Sequence, residues 1–175
     1  NTETEGVYYN AIELDKNLYR STSSTKYALF DTISLKKIVF GKNVKLVPAS
    51  CAYDCDSLEQ IVFSSSIREI DLVAFAYCDS LKYIAMPDGV QKIDNGAFWE
   101  CTSLETAVIP NTVTEIHEYT FTGCENLTIV CTKNSYAYNY AVENGIKVRV
   151  TDTQINTNNR QPESKKETEN YFDSF

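Results

Sequence analysis

The chain has 175 residues, 43% of them hydrophobic, and carries a formal charge of −8 at pH 7. That is one domain's length with enough apolar mass to bury a core. The acidic balance excludes the clustered basic footprint of a nucleic-acid binder and docking on anionic lipid. No apolar run approaches the roughly 18 residues that a membrane-spanning helix needs.

The chain opens on Asn1, with no initiator Met, signal peptide or lipidation motif in view. We expect a processed or trimmed product whose address lies elsewhere. Residues 1–6 (NTETEG) are polar. Residues 7–31 read as a degenerate first coil: Ile12, Leu14 and Leu18 copy the spacing of Ile61, Phe63 and Ile67. Leu29 falls in the slot of Phe75 if STSSTK holds three extra residues. The N-terminal segment and capping coil are therefore expected over residues 1–31.

From Thr32 a period of 23 residues takes over. Three copies are clean, Cys55–Tyr77, Cys78–Glu100 and Cys101–Gly123, with no insertion or deletion between them. Thr32–Asp54 keeps Leu35, Ile38, Phe40, Val44 and Val47 in register but has Ala52 where Phe75 and Phe98 stand. Cys124–Ile146 keeps Cys124, Leu127 and Val130 and then departs. In SYAYNYAVENG, Tyr136, Ala137, Tyr140 and Ala141 share one helical face, with Ser135 as N-cap and Gly145 as stop. A last strand, Lys147–Val150, is expected to close the end. The unit is a solenoid over residues 32–150, with coils 32–54, 55–77, 78–100 and 101–123 and a cap at 124–150.

Self-similarity at this period, written in Leu, Ile and Phe, is the sequence signature of a leucine-rich solenoid. Within a coil, Ile61 and Phe63 alternate at period 2 and mark a short strand with those side chains inward. Pro87 and Pro110 stop the strand. Val90-x-x-Ile93 turns the chain along a second side, and Ala97-Phe98 plugs the interior. Neighbouring coils pair their strands in parallel about 4.8 Å apart. The fold class expected is a repeat solenoid dominated by parallel β, with short strands on the concave face, an irregular convex side, and a short C-terminal capping helix and strand. Beyond it, residues 151–175 have the composition of a polar tail or linker ending in Tyr171, Phe172 and Phe175. Those aromatics are expected to dock on a neighbouring chain's apolar groove.

The pattern C-x-S-L-x-x-I-x-Φ-P-x-x-V-x-x-I-x-x-x-A-F, best matched by Cys78–Phe98, resembles the BspA-like, or treponemal-type, leucine-rich repeats. The SYAYNYAVENGIKVRV stretch looks like the segment that ends such arrays. The resemblance covers about Thr32–Val150. Departures are Ser64 for Pro, Thr120 for Ala, and the missing Phe at Ala52. It implies a secreted or surface-attached protein, extracellular or at the cell surface, acting in adhesion to host matrix or other cells. It implies no catalytic residues.

Six cysteines would by default be counted as disulfides. Cys55, Cys78, Cys101 and Cys124, however, share one repeat slot, and a stacked column leaves Cβ atoms parallel rather than converging. A reduced, buried ladder is the reading. Cys51 takes the small inward slot of Ala74 and Ala97, and Cys131 falls outward as the reactive thiol. Neither a C-x-x-C pair nor a Cys/His cluster supports zinc. Asp56, Asp79 and Glu125 share a slot that Thr102 interrupts. They read as a solvated acidic edge, since the glycine-rich nonapeptide of stacked calcium sites is absent. His117 stands in a turn slot with no nucleophile placed near it and reads as a surface histidine. No catalytic residue, cofactor or metal site is expected.

What remains free is the concave face. Its first outward column is Lys37, Gln60, Tyr83, Thr106 and Ile129, and its second is Val39, Val62, Ala85, Val108 and Cys131. The second column is apolar throughout, which marks an interface or reflects strand propensity alone; both readings stand. Tyr83 is the natural anchor of an interface. On the convex side Tyr53, Tyr77 and Trp99 follow the Phe slot. The functions expected are a recognition or adhesion module for an extracellular protein ligand, or else a passive spacer or surface-layer element. Glycan binding on Tyr83 and Trp99 is a third, weaker reading. Weak self-association through the tail or the apolar face is a further expectation.

Overall fold

The computed structural model describes residues 7–9, as backbone, and residues 35–151. Among these described residues eleven short strands and one helix follow in chain order. They are β1 (Val7–Tyr9), β2 (Lys37–Phe40), β3 (Leu46–Val47), β4 (Gln60–Val62), β5 (Glu69–Ile70), β6 (Tyr83–Ala85) and β7 (Lys92–Ile93). Then come β8 (Thr106–Val108), β9 (Glu115–Ile116), β10 (Thr128–Thr132), α1 (Tyr136–Glu143) and β11 (Lys147–Thr151). The two strands of successive coils form two separate rows, every pairing parallel. The fold is the expected parallel β-solenoid.

The first row consists of two sheets, β1-β2-β4 and β6-β8-β10-β11. The second is one four-stranded sheet, β3-β5-β7-β9. Sequence reasoning leaves this second side irregular; the structure gives every described coil a two-residue strand there, in register from Glu69 to Lys92 to Glu115. Two residues are too few for an alternation to show in the sequence. β1 pairs Val7 with Ile38, so the strand beside β2 lies earlier in the chain than the expected Ile12. The capping-coil residues Ile12, Leu14, Leu18 and Leu29, and the tail beyond Thr151, lie outside the described residues.

Between the rows the core is a set of stacked columns. Leu35, Leu58, Leu81, Leu104 and Leu127 form one, and Val47, Ile70, Ile93 and Ile116 another. Phe75, Phe98 and Phe121 stack with centroids 5.4 and 5.5 Å apart and planes within 17° and 9°. Where the column loses its Phe at Ala52, Phe40 and Phe63 turn their rings edge-on to Phe75, at 6.3 and 5.9 Å. Space vacated by one slot is filled from the strand of the same sandwich, as close packing requires. Thr120, standing for Ala, is buried and donates its hydroxyl to the Asp94 carbonyl at 3.1 Å.

Each coil also turns through left-handed backbone at a fixed slot, the residue before the Cys. Asp54, Tyr77 and Glu100 have φ of 60°, 61° and 55° there, and only the last copy uses glycine, Gly123 at 85°. A second such slot holds Ser50, Val73 and Gly96, with φ of 55°, 46° and 63°.

α1 forms as expected: Ser135 accepts from the Tyr138 N–H at 3.1 Å, and Gly145 follows the helix with φ 68°. Ala137, Tyr140 and Ala141 face the core, whereas Tyr136, expected on that face, is exposed. Tyr140 sets its ring edge-on to Phe121 and donates its hydroxyl to the Glu118 carbonyl at 3.1 Å, so the helix covers the open end of the Phe stack. Burial pushes the Tyr140 phenol up to about 12.

The last coil brings a correction. From β6 to β8 the register advances 23 residues, Tyr83 to Thr106, but from β8 to β10 Thr106 pairs with Thr128, a step of 22. A one-residue slip moves every side chain to the opposite face of the strand. Ile129 and Cys131, expected outward, are buried in the core, and Val130, expected inward, lies on the outer face. The Cys131 thiol is pushed up by burial, which the nearby Ser135 side chain only partly offsets, so it is no reactive thiol.

Candidate protein-binding face

The outer face of the first row is set by strand alternation. Lys37, Gln60, Tyr83, Thr106 and Thr128 form its first column, all half-buried, with Thr128 in the place expected of Ile129. Pairing of β10 with β11 adds Lys147 beside Thr128 and Arg149 beside Val130, both exposed. The second column is Val39, Val62, Ala85, Val108 and Val130. Val39 and Val62 are half-buried, but Ala85, Val108 and Val130 expose only 6%, 5% and 5%. They form a small apolar cluster of their own, outside the main core, against which Tyr83 packs.

The face therefore presents the Tyr83 ring, Val39 and Val62 rather than a continuous greasy stripe. It ends in two cations that sequence reasoning missed. The signal was present in KVRVT, where Lys147 and Arg149 alternate with valine as a strand's outward positions do.

The other candidate groups separate cleanly. All six cysteines are free and buried. Cys78, Cys101 and Cys124 donate their S–H to the carbonyls of Ala52, Phe75 and Phe98, at 3.3, 3.1 and 3.2 Å, each 26 residues earlier and one turn back in the stack. Burial, followed by the neighbouring thiol of Cys55 or Cys101, pushes the thiols of Cys51 and Cys124 up to about 12. The ladder is a buried, hydrogen-bonded structural device. Cys51 occupies its small inward slot.

On the second row Lys92 bridges Asp94 and Glu115 at 3.2 and 3.3 Å. Asp79 accepts from the Thr102 hydroxyl at 3.0 Å, so the interrupting Thr joins the acidic edge through a hydrogen bond. His117 is exposed and tilts against Tyr119. Tyr53, Tyr77 and Trp99 run in file along the convex turns, centroids 5.4 Å apart at each step, with rings at 67° and 50°. Among the described residues no group of three or more His, Cys, Asp or Glu stands close enough to hold a metal ion. A recess of about 290 Å³ near the cap is lined by Phe121, Tyr140, Asn144 and their neighbours.

The family model for the BspA type leucine-rich repeat region matches residues 22–149 in six copies. A leucine-rich cell surface protein of Faecalibacterium prausnitzii is similar in structure, with TM-score 0.67 and 28% identity over 79% of this chain and 35% of that one. A leucine-rich repeat protein of Bacteroides ovatus gives 0.63 and 30% identity, over 71% of this chain and 32% of that one. The T. pallidum leucine-rich repeat protein gives 0.58 and 26%, over 72% and 51%. The chain thus spans about a third of the first two and about half of the last. No curated protein matches the chain.

Proposed function

The chain belongs to the BspA-type leucine-rich repeat family, and from that premise we propose that it is a non-enzymatic recognition module, secreted or held at a cell surface, that binds a protein ligand. The F. prausnitzii relative is described as a cell surface protein, which supports the compartment. Among the described residues no helix is long and apolar enough to cross a membrane. The ligand is a host-matrix or cell-surface protein, bound on the outer face of the first row.

One observation carries the binding face: Tyr83, an aromatic ring on the solvent side of the sheet, is braced by Ala85, Val108 and Val130, whose apolar character the core does not require. A ring held by neighbours loses little conformational freedom on binding, which is what a hot spot needs. Thr106 pairs beside it and Lys37, Gln60, Val39 and Val62 share its face, and Thr128, Lys147 and Arg149 replace Ile129 in the set.

The test is a Tyr83→Ala, Val62→Lys double variant, applied to matrix proteins and to intact host cells. Both side chains are half-buried, so the variant is expected to melt within a few degrees of the parent. Binding is expected to fall at least tenfold; undiminished binding by a folded variant would overturn the face. A second reading, a passive spacer, is favoured by the near-complete burial of Ala85, Val108 and Val130, which leaves less apolar surface than an interface core usually shows. Absence of any saturable binding by the parent chain supports it.

A further inference from the structure

The chain contains two Asn-Gly pairs, Asn95-Gly96 and Asn144-Gly145. Glycine after asparagine leaves the backbone nitrogen unshielded by a side chain, so both pairs have the same intrinsic chemistry when unfolded. The fold treats them differently.

Asn144 is held on both reacting sides. Its side-chain nitrogen Nδ2 donates to the Tyr140 carbonyl at 2.8 Å, and the Gly145 N–H donates to the Val142 carbonyl at 3.3 Å. Asn95 and Gly96 instead occupy the two middle positions of a turn closed by the Ala97 N–H on the Asp94 carbonyl at 3.2 Å. The Asn95 backbone is fixed at both ends: its N–H donates to Asp94 Oδ1 at 2.7 Å, and its carbonyl accepts from Val73 at 3.0 Å. Its side-chain oxygen, by contrast, is shielded from solvent with no hydrogen-bond partner. Among the described residues the Gly96 N–H likewise finds no acceptor. A buried amide oxygen left unpaired costs about 1–3 kcal/mol, so no hydrogen bond to that oxygen opposes rotation of the Asn95 side chain toward the Gly96 nitrogen. The same turn in the two preceding coils carries Ala49-Ser50 and Leu72-Val73, which confines the chemistry to one coil.

We infer that Asn95 is a site of spontaneous modification, deamidating through a cyclic imide with Gly96 while Asn144 is protected. The Gly96 nitrogen attacks Asn95 Cγ, the Cγ–Nδ2 bond breaks, and the side-chain nitrogen leaves as ammonia with the proton given up by the Gly96 amide. Water then adds to either imide carbonyl and opens the ring, giving aspartate or isoaspartate. No oxidant or reductant is involved. Either product places a second carboxylate beside Asp94, and isoaspartate lengthens the backbone by one methylene at the carbonyl that accepts from Val73 in the preceding coil.

The test follows both asparagine-containing peptides by mass spectrometry after the whole chain is held in mildly alkaline buffer, folded in one arm and in concentrated urea in the other. In urea the two sites are expected to convert at similar rates. Folding is expected to raise the ratio of Asn95 to Asn144 conversion at least tenfold, with the mass gain lost from the first peptide in an Asn95→Gln variant. A ratio that is unchanged or lowered by folding overturns the inference, since the partnering described would then not govern reactivity.

Discussion

The central coils and the C-terminal cap solve the same problem with opposite means. In Cys55–Gly123 a residue's fate follows from its slot: stacking on the coils either side dictates what is buried, even against local preference. Val73, Tyr77 and Glu100 are held in left-handed backbone that their side chains disfavour. In the cap the left-handed positions fall to Asn134 and Gly145, which suit them, and the helix starts at a proper N-cap. Yet there the slot fails, because β10 pairs one residue out of step. Periodic packing overrides local signals where there are neighbours on both sides. Where the array ends, local signals take over.

The sharpest way to break this contrast is at the slip itself. Ile129→Lys places an unpaired charge in the core and is expected to cost about 4 kcal/mol or more, whereas Thr128→Lys is expected to cost under about 0.5 kcal/mol. Urea melts of the pair check it; the reverse ranking would restore the regular 23-residue step. Within the clean coils, Phe98→Ala removes a ring stacked on both Phe75 and Phe121. Calorimetry is expected to show a loss of about 3–5 kcal/mol. In the cap, Ser135→Ala is expected to cost about 1 kcal/mol, the worth of one N-cap, seen as a lowered melting temperature. Smallest, and opposite in sign, is Val73→Gly. Relief of a left-handed β-branched residue outweighs the added freedom of glycine, for a gain of about 0.5–1 kcal/mol by urea titration. The reverse change at Gly145, from glycine to valine, is expected to destabilise.

Legibility in the sequence divides along the same line. The Leu, Ile and Phe columns could be read from Cys55–Gly123 because three copies without a gap leave one register. The helix could be read from Ser135 and Gly145. The strand between them could not: Thr-Ile-Val-Cys-Thr has apolar residues at three consecutive positions, so neither face is marked, and extrapolating the period put Ile129 and Cys131 outside. The outer face was read half correctly. Alternation alone placed Tyr83 and Val108 outward, but that Ala85, Val108 and Val130 cover one another depends on inter-strand spacing and on the Tyr83 ring. Lys147 and Arg149 joined the face only through a pairing that no repeat announces.

The thiol ladder has a kinetic consequence. The carbonyl that receives each S–H lies 26 residues earlier, one turn back in the stack: Ala52 for Cys78, Phe75 for Cys101 and Phe98 for Cys124. None of these bonds exists until two particular coils have docked. In a nearest-neighbour array, which can zip from more than one starting point, the three cysteines are built-in clocks. The order in which they become resistant to a thiol-labelling pulse during refolding reads out, boundary by boundary, the direction in which the solenoid assembles.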